Sequence, residues 1–250
     1  MLYKHLKQMT HSRWAIFSDV HANLEALQAV LADMEGVERR FCLGDTVGYA
    51  ANPSKCLEEV RRLNCPVLMG NHDEAVASHS SLQGMNAAAQ AGIEFSRRKL
   101  TAGQREWLAN LPLVFTEADC QFVHGSLSEP WDYILDPEDA WAHFSRQTAP
   151  LCFCGHSHRP MAWHLDDAGH LSFKIGAGRI QLPQGGKALV NVGSVGQPRD
   201  RNPHACYVIY EPQTRQVEFR RVPYDIVKTQ TKILKARLPE FNALRLAEGR

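Results

Sequence analysis

No stretch of this chain approaches the roughly 18 consecutive apolar residues of a membrane-spanning helix, and Met1–Ser12 is too polar for a secretory leader. Nor is there an excess of charge of one sign. The chain carries 28 Lys and Arg against 27 Asp and Glu, a formal net charge of +1. That balance excludes binding of long nucleic acids or anionic membranes by bulk charge. Cysteine is present seven times, but Cys42, Cys152, Cys154 and Cys206 sit inside apolar runs, and Cys152-x-Cys154 lacks the spacing of a zinc knuckle. They read as small buried hydrophobes, not as a disulfide framework. A cytoplasmic residence is therefore expected. There is no internal repeat and no low-complexity linker. One domain over residues 13–250 is expected, after a loose extension over 1–12 in which Met9 offers a second possible start. A hydrophobic fraction of 44% is enough to fill one core at this length.

What the sequence does have is a repeated pattern of apolar runs that end abruptly in polar side chains. Strands are expected at about 14–18, 40–43 and 65–69, separated by helices that Asn23 and Asn52-Pro53 open. Leu24, Leu27, Val30 and Leu31 keep a helical period, as do Leu57, Val60 and Leu63. This β-α-β-α-β order predicts parallel strands with helical crossovers. Residues 72–111 read as helices, with the segment 78–111 placed to cover the pocket. A hairpin turns near Glu117-Ala118-Asp119, and Asp136-Pro137 opens a helix to about Arg146. Short strands then follow at about 151–154, 161–165, 171–175, 188–192, 204–210 and 215–222. A last amphipathic helix over 225–235 precedes a frayed tail.

Five of the strand ends carry chemistry. Ala15-Ile16-Phe17-Ser18 ends in Asp19-Val20-His21, Phe41-Cys42-Leu43 in Gly44-Asp45, and Val67-Leu68-Met69 in Gly70-Asn71-His72-Asp73. Phe122-Val123 ends in His124-Gly125, and Phe153-Cys154 in Gly155-His156-Ser157-His158. Polar groups are costly there unless something uses them, and ligands of open α/β sheets collect beyond the carboxyl ends of the strands. If Asp19-x-His21 and His156-x-His158 are extended, each pair aims two side chains at one point. Carboxylate and imidazole donors without thiolate suit Mn, Fe, Zn or Ni. Seven candidates make two sites if one carboxylate bridges: Asp19, His21, Asp45 and His158 for one ion, Asp45, Asn71, His124 and His156 for the other. Such a pair activates water as a bridging hydroxide for in-line displacement, so no Ser or Cys nucleophile is required. His72 is then left to protonate the leaving group or hold the phosphoryl oxygens, and Asp73 to orient it or its loop.

Asp-x-His, Gly-Asp, Gly-Asn-His-Asp, Val-His-Gly and Gly-His-Ser-His, in this order, resemble the calcineurin-like metallophosphoesterase superfamily. Asn191-Val192-Gly193-Ser194-Val195-Gly196-Gln197-Pro198-Arg199 is similar to a later loop of its small bacterial and archaeal members. The resemblance implies a four-layer α/β/β/α sandwich with two mixed central sheets flanked by helices. It implies the same ligand set, and a phosphomonoester or phosphodiester substrate, a nucleotide among the candidates. Protein phosphatases of the superfamily extend the second block to Gly-Asp-x-Val-Asp-Arg-Gly. Here the run is Gly44-Asp45-Thr46-Val47-Gly48-Tyr49, so the acid and the arginine are missing and protein dephosphorylation is not expected. Ala22 stands where many relatives have glycine, and its methyl is expected to reshape the phosphate side slightly. Asn23, Tyr49 and Arg199 are the expected substrate contacts, with Asn52 and Arg159 as further candidates. The competing reading is an inactive member of this fold serving as a protein-interaction scaffold; the complete ligand set and His72 count against it.

Overall fold

The computed structural model describes residues 12–78 and 82–250, so the extension expected over residues 1–12 lies outside the described chain apart from Ser12. Trp14–Phe17 (β1) and Arg39–Cys42 (β2) pair in parallel around the crossover helix Leu24–Asp33 (α1). Four helices follow, Pro53–Arg62 (α2), Asn71–Ser78 (α3), Ala87–Lys99 (α4) and Ala102–Ala109 (α5). Val114–Glu117 (β3) and Cys120–Val123 (β4) form the hairpin, and Pro137–Arg146 (α6) leads into Leu151–Cys154 (β5). Strands Met161–Leu165 (β6), Leu171–Ile175 (β7), Gly178–Gln181 (β8) and Lys187–Asn191 (β9) come next. Ala205–Glu211 (β10), Gln216–Val222 (β11), Ile226–Lys235 (α7) and Glu240–Glu248 (α8) close the chain.

The strands form two mixed sheets, β2-β1-β10-β11-β8 and β3-β4-β5-β9-β6-β7. Alternation along each strand decides which layer a side chain serves. Ile16, Phe41, Val208 and Phe219 of the first sheet meet Phe122, Phe153, Val190 and Ala162 of the second in one buried cluster. The contact is close: the Phe41 and Phe122 rings stack 4.5 Å apart, and Phe153 meets Tyr210 edge-on at 5.3 Å. The alternate residues Ala15, Phe17, Tyr207 and Ile209 face Leu27 and Val30 of α1 and Val60 of α2. On the outer side of the second sheet, Cys152, Cys154 and Leu189 face Ala140 and Phe144 of α6. The result is a sandwich of helices, sheet, sheet and helices. All seven cysteines are free, six of them buried, and burial pushes their thiols up, Cys65 to about 11.

Three elements differ from expectation. The segment 65–69 is not a full strand; it makes one isolated parallel bridge, Cys42 to Val67. Pro66 has no N–H to give a ladder, and only its carbonyl serves, accepting from Cys42 N at 3.0 Å. Strand β8 was not visible in the sequence, because Gly178-Arg179-Ile180-Gln181 offers a single apolar residue, and pairing with β11 makes it a strand. The expected frayed tail contains α8. Its Ala243 and Leu246 are buried with Ala22, Phe95 and Ile233 in a cluster joining the first strand-end loop to α4 and α7.

Candidate metal centre

The first two strand ends are tied to one another by main-chain bonds. Asp19 N donates to Gly44 O at 3.0 Å, His21 N to Asp45 O at 2.9 Å and Ala22 N to Thr46 O at 3.0 Å. These bonds hold residues in the left-handed region that L side chains rarely adopt: Asp19 (φ 57°), His21 (φ 47°), Ala22 (φ 56°) and Asp45 (φ 53°). His156 (φ 63°) and His158 (φ 58°) do the same at their own strand end. The two Asp/His-x-His pairs are therefore not extended, which corrects the expectation. Their side chains converge because the backbone curls left-handed on leaving the sheet, a conformation worth roughly 1–3 kcal/mol of strain per residue and typical of functional sites.

Each buried carboxylate has one oxygen fixed and one left facing the histidines. Asp19 Oδ2 accepts the His156 N–H at 3.0 Å. Its Oδ1 has no hydrogen-bond partner and faces His158 Nε2 at 3.2 Å and His21 Nε2 at 3.8 Å. Asp45 Oδ1 accepts the His72 N–H at 2.8 Å, while Oδ2 stands 3.6 Å from His21 Nε2 and 3.5 Å from His124 Nε2. Asp45 thus touches both halves of the cluster, as a bridging carboxylate must.

The histidine tautomers follow from their carbonyl partners, since a carbonyl only accepts. His21 Nδ1 donates to Val47 O at 3.1 Å, His158 Nδ1 to Gln197 O at 2.6 Å and His124 Nδ1 to Leu43 O at 2.9 Å. His156 is the reverse case, with Nε2 donating to Trp131 O at 2.9 Å. The four remaining nitrogens face one another in two pairs. His21 Nε2 meets His158 Nε2 at 3.1 Å, and His124 Nε2 meets His156 Nδ1 at 3.1 Å. Opposed lone pairs at that distance repel unless a proton or a cation sits among them. Backbone carbonyls fixing the far nitrogen are the usual support of metal-ligating histidines.

Burial would raise the Asp19 carboxyl, but His158, His124 and His21 outweigh it and hold it well below the carboxylate range; Asp45 is depressed likewise. Burial drives His21 and His158 down, and drives His156 to about 3 with the help of neighbouring His124. His124 is the exception. Burial opposes its charging, yet Asp45 and Asp19 push it up to about 9. Two ionised carboxylates surrounded by mostly neutral imidazoles form a site suited to divalent cations. Three overlapping groups meet the distance requirement among the described residues: Asp19 with His21 and His158, His21 with Asp45 and His72, and Asp45 with His124 and His156, each within 4.8 Å.

With this geometry in hand, the profile of the calcineurin-like phosphoesterase superfamily domain matches residues 13–215. The chain belongs to that superfamily. It is 38% identical to the uncharacterized protein MJ0912 of Methanocaldococcus jannaschii, over 97% of this chain and 100% of the relative. The crystal structure of a metallophosphoesterase from Sphaerobacter thermophilus superposes with a TM-score of 0.85 at 39% identity, covering 95% of this chain and 99% of the other. The hypothetical protein PH1004 of Pyrococcus horikoshii shares the fold, with a TM-score of 0.78 at 21% identity over 95% of this chain and 98% of that one.

Around this superfamily core the remaining candidates sort by what they touch. Asn71 opens α3 with a buried Oδ1 that has no hydrogen-bond partner, as a ligand oxygen would. Asn71 and His72 both belong to the first turn of α3. The His72 ring lies 4.8 Å from that of His21 and 4.7 Å from that of Tyr49, and its Nδ1 is buried without a partner. Gly48 explains the missing acid of the second block, since a Cβ there would run into His72 Nδ1. Asp73 does not hydrogen-bond His72. Its carboxylate accepts from Thr46 N at 3.0 Å, Val47 N at 3.3 Å and Gly70 N at 3.2 Å, so it positions the Asp45 loop. Burial and the nearby Asp45 push its carboxyl up to about 7.

Asn23 is buried and its amide is taken up by structure: Oδ1 caps α1 at Ala26 N and accepts from Thr229 Oγ1, and Nδ2 donates to Gly196 O. It is a cap and a loop tie, which corrects the expected substrate contact. The Ala22 methyl belongs to the apolar cluster of α4, α7 and α8, not to the phosphate side of the site. Arg159 is exposed and Asn52 precedes α2 without a side-chain cap bond. Tyr49 and Arg199 do reach the site region: the Arg199 guanidinium donates to Tyr49 Oη at 3.4 Å, and its charge bears on His72 and His158. Sequence reasoning missed the loop carbonyls of Val47, Leu43, Gln197 and Trp131, which no side-chain pattern marks. It also missed Tyr133, stacked on His156 at 4.2 Å; the aromatic pair Trp131 and Tyr133 soon after His124-Gly125 was the available signal.

Proposed function

We propose that this protein is a dinuclear-metal-dependent phosphoesterase acting on a small phosphomonoester or phosphodiester, with Mn, Fe, Zn or Ni as the ions. The observation that carries this reading is the two pairs of facing imidazole nitrogens, each 3.1 Å apart, set against the histidine-facing oxygens of Asp19 and Asp45. Asp19, His21, Asp45 and His158 would hold one ion, and Asp45, Asn71, His124 and His156 the other. When bound, such a pair supplies Lewis-acid polarisation of the phosphoryl group and lowers the pKa of a coordinated water.

The chain's own groups do the rest. Burial holds the His72 imidazole neutral at physiological pH, down to about 4. A neutral ring beside Asp45 offers one N–H to a phosphoryl or leaving-group oxygen, which supports phosphoryl stabilisation over full proton donation. Arg199 places a permanent cation beside Tyr49 at the edge of the centre, where it would attract an anionic substrate. Asp73 keeps the Asp45 loop in register through its three backbone N–H bonds. Residues 13–250 acting as one unit, with the described part of the segment 78–111 against the site, fit the contact of α4 with the Tyr49 loop, where Gly92 lets the helix backbone approach Tyr49 N.

The test is hydrolysis of p-nitrophenyl phosphate and bis-p-nitrophenyl phosphate by the chelator-treated protein after reconstitution with Mn, Fe, Zn, Ni or Mg. Turnover restored by at least one transition metal is expected, and the ratio of the two rates assigns monoester or diester preference. Folded protein that turns over neither ester with any ion would overturn the proposal.

A further inference from the structure

Several arginines of the fold pair with a carboxylate. Arg39 pairs with Glu117, Arg220 with Asp33 and Arg221 with Asp200. Arg199 and Arg245 do not: among the described residues neither is ion-paired with a side-chain carboxylate. Both are directed at one tyrosine. The Arg199 Cζ and the Arg245 Cζ each lie 5.9 Å from the Tyr49 ring centroid. Arg199 binds only neutral partners, Tyr49 Oη and Gln197 Oε1, and its Nε is buried with none. Arg245 gives its Nε–H to the backbone oxygen of Arg250 and lies over the Phe241 ring at 5.0 Å.

The position of Arg245 is built. Asn242, one helical turn earlier on the same face of α8, donates to Tyr49 O and to Ala88 O, each at 3.2 Å. Ala243 and Leu246 bury beside them. Helix α8 is therefore fastened to the loop that carries Tyr49 and to the start of α4. Burial, with the charge of Arg199, holds Arg245 below its ordinary range, at about 10. Two half-buried like charges with no Asp or Glu between them are costly, and an anion would relieve that cost. One tyrosine ring separates this pair from His72 and His21, whose rings lie 4.7 and 4.8 Å from that of Tyr49.

We propose that Arg199 and Arg245, both beside Tyr49, form a subsite for a second phosphate on the substrate, so that the preferred esters are bisphosphates or nucleoside diphosphates. This rests on the phosphoesterase reading of the adjoining centre. Arg245 is a specificity-determining residue in this account, brought to the site by the C-terminal helix.

The experiment uses the full chain and two matched pairs of compounds, fructose monophosphate against fructose bisphosphate and adenosine monophosphate against adenosine diphosphate. Binding is measured by calorimetry and turnover by phosphate release. Wild type is expected to prefer the doubly phosphorylated member of at least one pair by about tenfold or more, the scale of one charge-assisted contact. R245Q is expected to shrink that preference to below about threefold, R245K to keep part of it, and the exposed control K235A to keep all of it. The pair that responds tells a sugar bisphosphate from a nucleoside diphosphate. Equal affinity of wild type for both members of both pairs, or an undiminished preference in folded R245Q, overturns the subsite. Absence of turnover with every ester while the calorimetric preference and its loss in R245Q persist would instead strike the phosphoesterase reading and leave the subsite standing.

Discussion

His21 and His158 come from strand ends far apart in the chain, yet their Nε2 atoms face each other at 3.1 Å with neither nitrogen carrying a proton. Without a cation among them, both lone pairs and the unshared oxygen of Asp19 repel. Metal binding should then stabilise the fold. At a free concentration about 100 times Kd, a ligand specific to the folded state contributes about 2.7 kcal/mol, or about 5–10 °C in Tm for a chain of this size. Chelation should lower Tm by that amount, and Mn, Zn, Ni or Fe should restore it. H158A should bind one ion per chain fewer than wild type by elemental analysis. A Tm indifferent to chelator and metal alike would remove the basis of the site.

His72 sits within 4.8 Å of the donor atoms of both His21 and Asp45, so its distances alone would also permit a ligand role. The two roles separate in one variant. H72A is expected to keep its full metal content and lose about 10²-fold or more in kcat, the range for removal of a positioned proton-transfer or hydrogen-bonding group. Loss of an ion together with activity would move His72 into the ligand set.

How far the site could be read from the sequence is clearest at its two ends. Apolar runs stopping at Asp19, Asp45, Asn71, His124 and His156 marked the donors, because burying such groups makes sense only where they are used. The way they meet was not legible. The left-handed φ of Asp19, His21, His156 and His158 goes with bonds to loops distant in sequence, main-chain bonds at Asp19, His21 and His158 and the Asp19 carboxylate at His156, and nothing local in Asp-Val-His or His-Ser-His announces it. The fold shows the same division. Strands with sustained apolar alternation were visible, whereas β8 exists through its pairing with β11, and α8 through the seating of Ala243 and Leu246 beside Ala22. Pro239 ahead of α8 makes no side-chain cap bond, so the helix lacks the Ser, Thr, Asp or Asn cap that marks most of the other starts. Arg245 was missed for that reason.

Ala22 tests the balance between backbone strain and packing. At φ 56° an alanine is disfavoured relative to glycine by about 1 kcal/mol. Its buried methyl contributes about 0.8 kcal/mol in the opposite sense. A22G should therefore change unfolding free energy by no more than about 0.5 kcal/mol in urea titrations, and leave the metal-dependent activity intact. A22V, which puts a β-branched residue at the same left-handed angle, should destabilise by about 1–3 kcal/mol. A large loss in A22G would mean that the methyl does more than fill the cluster.

His143 gives the fold an acid-sensitive group away from the metal centre. It lies on α6, fully buried, and its Nδ1 accepts the Leu127 N–H at 3.2 Å, so the proton of the neutral ring is on Nε2, which has no partner. Burial drives its pKa down to about 4, with the Lys187 charge adding to the effect and Gln147 opposing it. The folded value is below the value near 6.5 of an unfolded chain. Between those limits the unfolded state takes up a proton that the folded state does not, so stability falls as pH drops from about 6.5 toward 4 and is fully retained above. The difference, about 2.5 pH units, corresponds to roughly 3 kcal/mol. H143Q keeps an acceptor for Leu127 N–H and cannot titrate. Urea unfolding of the metal-loaded protein at pH 7.5 and at pH 4.5 should show wild type losing about 2–3 kcal/mol more than H143Q over that interval. Parallel losses in the two proteins would mean that His143 already carries its proton in the folded state.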